Sequence, residues 1–318
     1  MPSTPASISA ISAIKSPGLA SRGWVALATG LLLVETLLVF AWTHPVQEGR
    51  PAQAWAALQA LWMMEVGGVT LGTVVMVGFA AQIVDGAMGM AYGLLSTSFL
   101  LSIGVPPAVA SASVHIAEMG TTGASGLAHW RAGNVNGRLW RRLVLPGAIG
   151  ALLGAALLSQ IDGKALRPFI DGYLLLAALW LLAQALLKHK VPASDASPSH
   201  KATGMAASAG GFLDAVGGGG WGPVVTGSLL SRSADARRII GTVCAAEFVI
   251  ATVTGVALAF AVGLMHWQII AALLLGGVIA APLAARMCGL LPQRALRIAV
   301  GLLLLGLSLR SLWKSFAA

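Results

Sequence analysis

Gly78-Phe79 followed by Gln82-Ile83-Val84-Asp85-Gly86-Ala87-Met88-Gly89 makes an unusual statement early in the chain. The second half makes it again, as Gly211-Phe212 followed by Asp214-Ala215-Val216-Gly217-Gly218-Gly219-Gly220-Trp221-Gly222-Pro223. In both stretches a glycine cluster interrupts an apolar helix, and an ionisable residue stands beside the interruption. Such a break frees backbone N–H and C=O groups, which lipid tolerates only where they meet protein, water or ligand. Broken helices in a duplicated membrane chain point towards a transporter.

The surroundings are built for lipid. Of 318 residues, 57% are hydrophobic and 10% charged, and mean hydropathy is +0.83, whereas a soluble domain carries about 25% charged residues. Apolar stretches at 24–42, 143–158, 173–187, 239–262 and 298–309 approach or exceed the roughly 20 residues that a helix needs to cross a bilayer. The expectation is an all-α polytopic membrane protein. The net charge of +9 resides in short connections between apolar segments, as topology signals do, which argues against a nucleic-acid partner. Cys244 and Cys288 both lie in apolar helices without metal-ligand spacing, so no disulfide framework, metal or cofactor is expected. The run at 24–42 is too long for a signal-peptide core, and no small-x-small cleavage site follows it near His44-Pro45. It reads as an uncleaved extra N-terminal transmembrane helix.

Residues 1–66 form the tail, this helix and a connector whose Trp55 and Trp62 suit an interfacial helix. The first repeat spans 67–187, a polar linker 188–201 and the second repeat 202–318. The duplication extends beyond the glycines: Ser113-Val114-His115-Ile116-Ala117-Glu118 leading to Ser125-Gly126 aligns without a gap on Thr242-Val243-Cys244-Ala245-Ala246-Glu247 leading to Thr254-Gly255. Each repeat reads as a short helix pair flanking the break, then three longer helices. The segments after the breaks, at 91–103 and 224–230, are too short to span at about 1.5 Å per residue, which suggests re-entrant hairpins.

Lys15 and Arg22, the group Arg131, Arg138, Arg141 and Arg142, and the linker lysines Lys188, Lys190 and Lys201 share one side if the N-terminus is cytoplasmic. Arg232, Arg237 and Arg238, then Arg286, Arg294 and Arg297, make the second repeat inverted relative to the first. Arg310 and Lys314 dissent, because this arrangement puts the C-terminus outside. Gly68-x-x-x-Gly72 and Gly150-x-x-x-Gly154 read as close helix packing.

Ser111, His115, Glu118 and Thr122 recur at helical spacing and share one face. A carboxylate in mid-membrane is costly unless paired, neutral or beside a wet cavity, so Glu118 is a functional candidate, with His115 close enough to share a proton. Glu247 is the repeat-mate of Glu118, with Cys244 in place of His115. Asp85 and Asp214 stand at the tips as helix caps or pathway groups. Half-helix amides around Gly86, Gly89, Gly218, Gly219 and Gly220, with the hydroxyls of Ser111 and Thr122, would hold an oxyanion without Lys or Arg at depth. Blander readings compete: a buried packing contact for His115 and Glu118, a small filler for Cys244, close crossing for the glycines and packing for Glu35. Gly123-Ala124-Ser125-Gly126 resembles an intramembrane serine-protease motif, but its repeat-mate Val253-Thr254-Gly255 lacks the serine and His266 falls in a turn.

Two glycine-rich breaks, each opening half of the chain and each followed by a small-residue helix with a polar stripe, resemble the TauE/SafE family of sulfite and organosulfonate exporters. Gly86, Gly89 and Gly217 to Gly222 with Pro223 match its repeats best; in the first copy Tyr92 occupies roughly the place of Pro223. The resemblance runs from about residue 70 to the end. It implies transport of a small sulfur-containing anion across a bacterial inner (plasma) membrane. The combined expectation is a secondary transporter, not an enzyme, exporting sulfite or an organosulfonate by alternating access. His115, Glu118, Glu247, Asp85 and Asp214 would couple it to protons or gate it, and the partners are the anion and membrane lipid. The alternatives are a cation- or proton-linked carrier of another solute and, more remotely, the protease.

Overall fold

The computed structural model describes residues 50–66, 68–187, 199–231, 235–263, 266–288 and 290–317. The expected helix at 24–42, Glu35 and most of the linker lie outside them. Residues 1–60 and 61–318 form two units. Helix α1, Arg50–Met63, covers part of the expected connector. A two-residue antiparallel pair follows, β1 (Glu65–Val66) with β2 (Val69–Thr70), the one departure from an all-helical fold among the described residues.

Ten further helical elements follow. The first half holds α2 (Leu71–Met88), α3 (Tyr92–Ser102), α4 (Pro107–Arg131), α5 (Gly137–Gln160) and α6 (Gly163–Leu186). The second holds α7 (His200–Gly217), a π-turn at Gly222–Thr226 continuing as α8 (Gly227–Leu230), α9 (Ala236–Val262), α10 (Trp267–Met287) and α11 (Gln293–Ala317). Six of these helices, α2, α5, α6, α9, α10 and α11, are long and apolar enough to cross a membrane. Helix α4 has the length, but its face of serines, threonines, His115 and Glu118 makes it more polar than those six.

Matching chemistry starts matching helices. Thr70 caps α2 by accepting from the Thr73 amide, and Ser199 caps α7 by accepting from the Ala202 amide. Asn136, Asp162 and Asp235 do the same for α5, α6 and α9. Both α2 and α7 end on a glycine in the left-handed region, Gly89 at φ 69° and Gly218 at φ 66°, a conformation that glycine adopts without steric cost. Gly78-Phe79 and Gly211-Phe212, which first suggested the duplication, are therefore one helical turn out of step; the equivalent positions are Asp85 with Asp214 and Gly89 with Gly218.

The main helix pairings run between halves. Helix α2 packs on α10 and α7 on α5; α4 lies against α9; α6 lies against α11. Small residues permit the closest crossings. A Cβ on Gly150 would strike the Ser208 carbonyl and one on Gly154 the Phe212 carbonyl, while on the other pair Gly276 abuts Val75 and Gly78 abuts Leu273. Gly150-x-x-x-Gly154 is thus a packing motif. Gly68-x-x-x-Gly72 is not, because Gly68 lies in the turn before α2, with open space around it, and Gly72 faces Trp62. Replacing Gly150 with Val should wedge α5 from α7 and cost about 1–3 kcal/mol, read as earlier thermal unfolding in detergent. Gly306→Ala, at a position with nothing within 4 Å, should leave that transition in place.

Candidate functional site

The two broken helices meet tip to tip. Thr97 on α3 donates its hydroxyl to the Gly218 carbonyl at 3.2 Å, and Thr226 in the π-turn donates to the Gly89 carbonyl at 2.5 Å. Each half thus holds the left-handed glycine of the other. Below each glycine an aspartate bridges its own break: Asp85 Oδ1 accepts from the Tyr92 amide at 3.5 Å, and Asp214 Oδ1 from the Trp221 amide at 3.2 Å. The aspartates therefore cap the second half-helices. This also aligns Tyr92 with Trp221, correcting its sequence match to Pro223.

Around the tips the core exchanges residues between halves. His115 and Glu118 of α4 meet Asp214 of the opposite half, and Cys244 and Glu247 of α9 meet Asp85; in each trio the side-chain N, O or S atoms lie within 4.8 Å of one another, and all six residues are buried. His115 Nε2 stands 3.2 Å from Asp214 Oδ2 and 3.9 Å from Glu118 Oε2. His115 Nδ1 lies 2.8 Å from the Ser111 carbonyl, an acceptor, so Nδ1 carries a proton. A second proton must then lie between Nε2 and the Asp214 carboxylate for that contact to be a hydrogen bond. Both oxygens of Glu118, Oδ2 of Asp85 and Oε2 of Glu247 lack hydrogen-bond partners among the described residues. Three buried carboxylates with unfilled acceptors, beside a fourth whose oxygens are both engaged, are costly unless a proton or a small cation joins them, and either trio offers the donor atoms to hold one.

The family model described as "Sulfite exporter TauE/SafE" matches residues 74–311. The chain belongs to the TauE/SafE family. A relative, the probable membrane transporter protein YtnM of Bacillus subtilis (strain 168), is 45% identical over 215 residues, which is 66% of this chain and 71% of its own length. No solved structure matches significantly.

Within this TauE/SafE chain the glycines expected at the site are in contact with protein. Gly86 faces Ala284, Gly89 faces Ile240 and Thr226, Gly218 faces Thr97, Gly219 faces Leu94, and Gly220 faces Leu213 and Asp214. The Ser111 hydroxyl donates to the Ala215 carbonyl at 2.7 Å, and Thr122 donates to the Glu118 carbonyl of its own helix. No histidine hydrogen-bonds Ser125 among the described residues, which leaves the protease motif without a base; His129 is engaged by the Gly86 carbonyl and Asn134.

Sequence reading missed Thr97 and Thr226, whose signal was their equivalent distance from the two breaks. Of the chain's two tyrosines it named Tyr92 only as a counterpart of Pro223 and did not single out Tyr173. Tyr92 donates to the Leu273 carbonyl at 3.0 Å and Tyr173 to the Gly219 carbonyl at 3.2 Å, so both anchor broken or closely crossed backbone. Thr97→Val or Thr226→Val would leave a buried glycine carbonyl unpaired, an expected loss of about 1–3 kcal/mol. Detergent-phase thermal unfolding should show it, with Thr97→Ser close to wild type.

Proposed function

We propose that this chain is a secondary transporter that exports a small sulfur-containing oxyanion, sulfite or an organosulfonate, by alternating access with proton coupling. The coarser part stands on its family: the chain is a multi-pass membrane transporter of the TauE/SafE kind. The observation that carries the finer part is the pair of exchanged trios at the interlocked breaks. An anion cannot approach four ionised carboxylates, so occupation of the tips by anion and of the trios by protons favour each other, and each ligand raises the affinity for the other. The charged groups facing this space are Asp85, Glu118, Asp214 and Glu247, with His115 as the basic member. Gly86, Gly89 and Gly218 to Gly220, with Ser111 and Thr122, would line the path when the tips part, the contacts described above being those of an occluded state.

The halves are proposed to be inverted repeats lying in the inner membrane with the N-terminus cytoplasmic. The pairings across halves are repeat-related, α4 with α9 and α6 with α11 directly and α2 on α10 mirrored by α7 on α5, which supports the repeat. The inversion is supported by opposite ends of α6: Arg167 at its start donates to the Leu101 carbonyl at the base of α3, whereas Gln184 near its end lies beside Leu230 and Ser231 at the base of α8. A helix of 24 residues is roughly 36 Å long at 1.5 Å per residue, enough to put the two bases at opposite faces. Lys314, which dissented from the charge pattern, donates to the Ser102 carbonyl at 3.0 Å and so has a structural use at that end. A cation-linked carrier is the second reading, favoured by the ligand-like spacing of the trios.

Proteoliposomes loaded with sulfite, sulfate or taurine test the proposal. Sulfite or sulfonate efflux accelerated by a pH gradient is expected. Glu118→Gln and Glu247→Gln should flatten the pH dependence of that flux, and wild-type protein that moves no anion under any gradient would overturn the assignment.

A further inference from the structure

The bases of the two short helices are chemically unlike. At the base of α3, Arg167 reaches the Leu101 carbonyl at 2.6 Å and Lys314 the Ser102 carbonyl at 3.0 Å, so two cations close that end. At the corresponding base of α8 no Lys or Arg hydrogen-bonds a helix-end carbonyl among the described residues. There a cavity of about 320 Å³ lies against Gln184, Leu230, Ser231, Gln293, Arg294 and Arg297. Arg297 is the counterpart of Arg167: Lys164-Ala165-Leu166-Arg167 opens α6 as Arg294-Ala295-Leu296-Arg297 opens α11. Its Nε is buried yet has no hydrogen-bond partner among the described residues. A second cavity, of about 480 Å³, shares Gln184, Gly227 and Ser231 with the first and reaches Tyr173, whose hydroxyl holds the Gly219 carbonyl at the second break. On the other flank, Gln293 donates to the Ala87 carbonyl at 3.1 Å, two residues before Gly89. The base of α8 is therefore linked to both glycine breaks, through Tyr173 on one flank and Gln293 on the other.

We propose that this cavity is an anion-binding vestibule in which Arg297, assisted by Arg294, receives the oxyanion before it passes along α8 to the tips. The guanidinium supplies donors in a fork that fits a trigonal or tetrahedral oxyanion, and Gln184 and Ser231 add neutral polar groups. The proposal rests on the anion-transport reading. Under the proposed orientation the vestibule shares the side of the linker lysines, which is the cytoplasmic side from which an exporter must load.

The test is sulfite efflux and calorimetric sulfite binding for wild type, Arg297→Gln, Arg297→Lys and Arg167→Gln. Efflux is measured in vesicles of zwitterionic lipid and in vesicles containing phosphatidylglycerol. Arg297→Gln should raise KM and weaken binding roughly tenfold or more with the maximal rate largely kept. Arg297→Lys should recover part of the loss, and Arg167→Gln should lower thermal stability without that KM shift. Wild-type flux with an unchanged KM in Arg297→Gln would overturn the vestibule alone. A shift seen only with phosphatidylglycerol would also overturn it, by assigning the cavity to a lipid head group. Wild-type protein that neither moves nor binds sulfite would instead remove the transport reading on which the vestibule stands.

Discussion

The reciprocal bonds from Thr97 to the Gly218 carbonyl and from Thr226 to the Gly89 carbonyl govern the arrangement of everything around them. Each helix break exposes backbone that lipid cannot satisfy. The chain resolves this by making each broken segment the partner of the other, so neither half completes its own backbone. That requirement explains why the principal helix contacts cross between halves. It also explains why glycines crowd the tips: at Gly93, Gly218, Gly219 and Gly222 any side chain would run into the opposite break.

The same interlock delivers chemistry. Because the tips cross, Asp214 joins His115 and Glu118, and Asp85 joins Cys244 and Glu247. The two trios are equivalent by position but not by chemistry. An imidazole can carry a proton between carboxylates near neutral pH, whereas a buried thiol is a poor relay. In the proposed proton-coupled mechanism, proton traffic would belong to the His115 side, and the Cys244 side would be its more passive counterpart. The outer ends repeat the pattern, with cations fastened on carbonyls at the base of α3 and, beside a cavity at the base of α8, an Arg297 whose buried Nε has no hydrogen-bond partner among the described residues. On the proposed repeat, the two copies would have diverged where the proposed export would require the two directions of passage to differ.

Much of this was legible in the residues. Apolar runs marked α5, α6, α9 and α11, the gap-free match around Glu118 and Glu247 marked α4 and α9, and glycine clusters marked both breaks. The long-range partners were not legible. Nothing in the spacing of Cys244 indicates a ligand-like trio, because its third member, Asp85, comes from the other half across the fold. The first alignment of the breaks slipped by a turn because Gly78 and Gly211 are both packing glycines, alike for reasons unrelated to the repeat. A lysine that caps a helix base, as Lys314 does at the Ser102 carbonyl, looks in sequence like any topology signal.

The inverted arrangement of the two halves is the claim on which loading, occlusion and release all depend. Pro106 and Asp235 are equivalent, exposed positions just beyond the two short helices, and both native cysteines are buried. Single cysteines placed at these positions, labelled with a membrane-impermeant thiol reagent in sealed vesicles of known orientation, measure it directly. Labelling of Pro106→Cys from one face and Asp235→Cys from the other is the expected result, and labelling of both from the same face would contradict it.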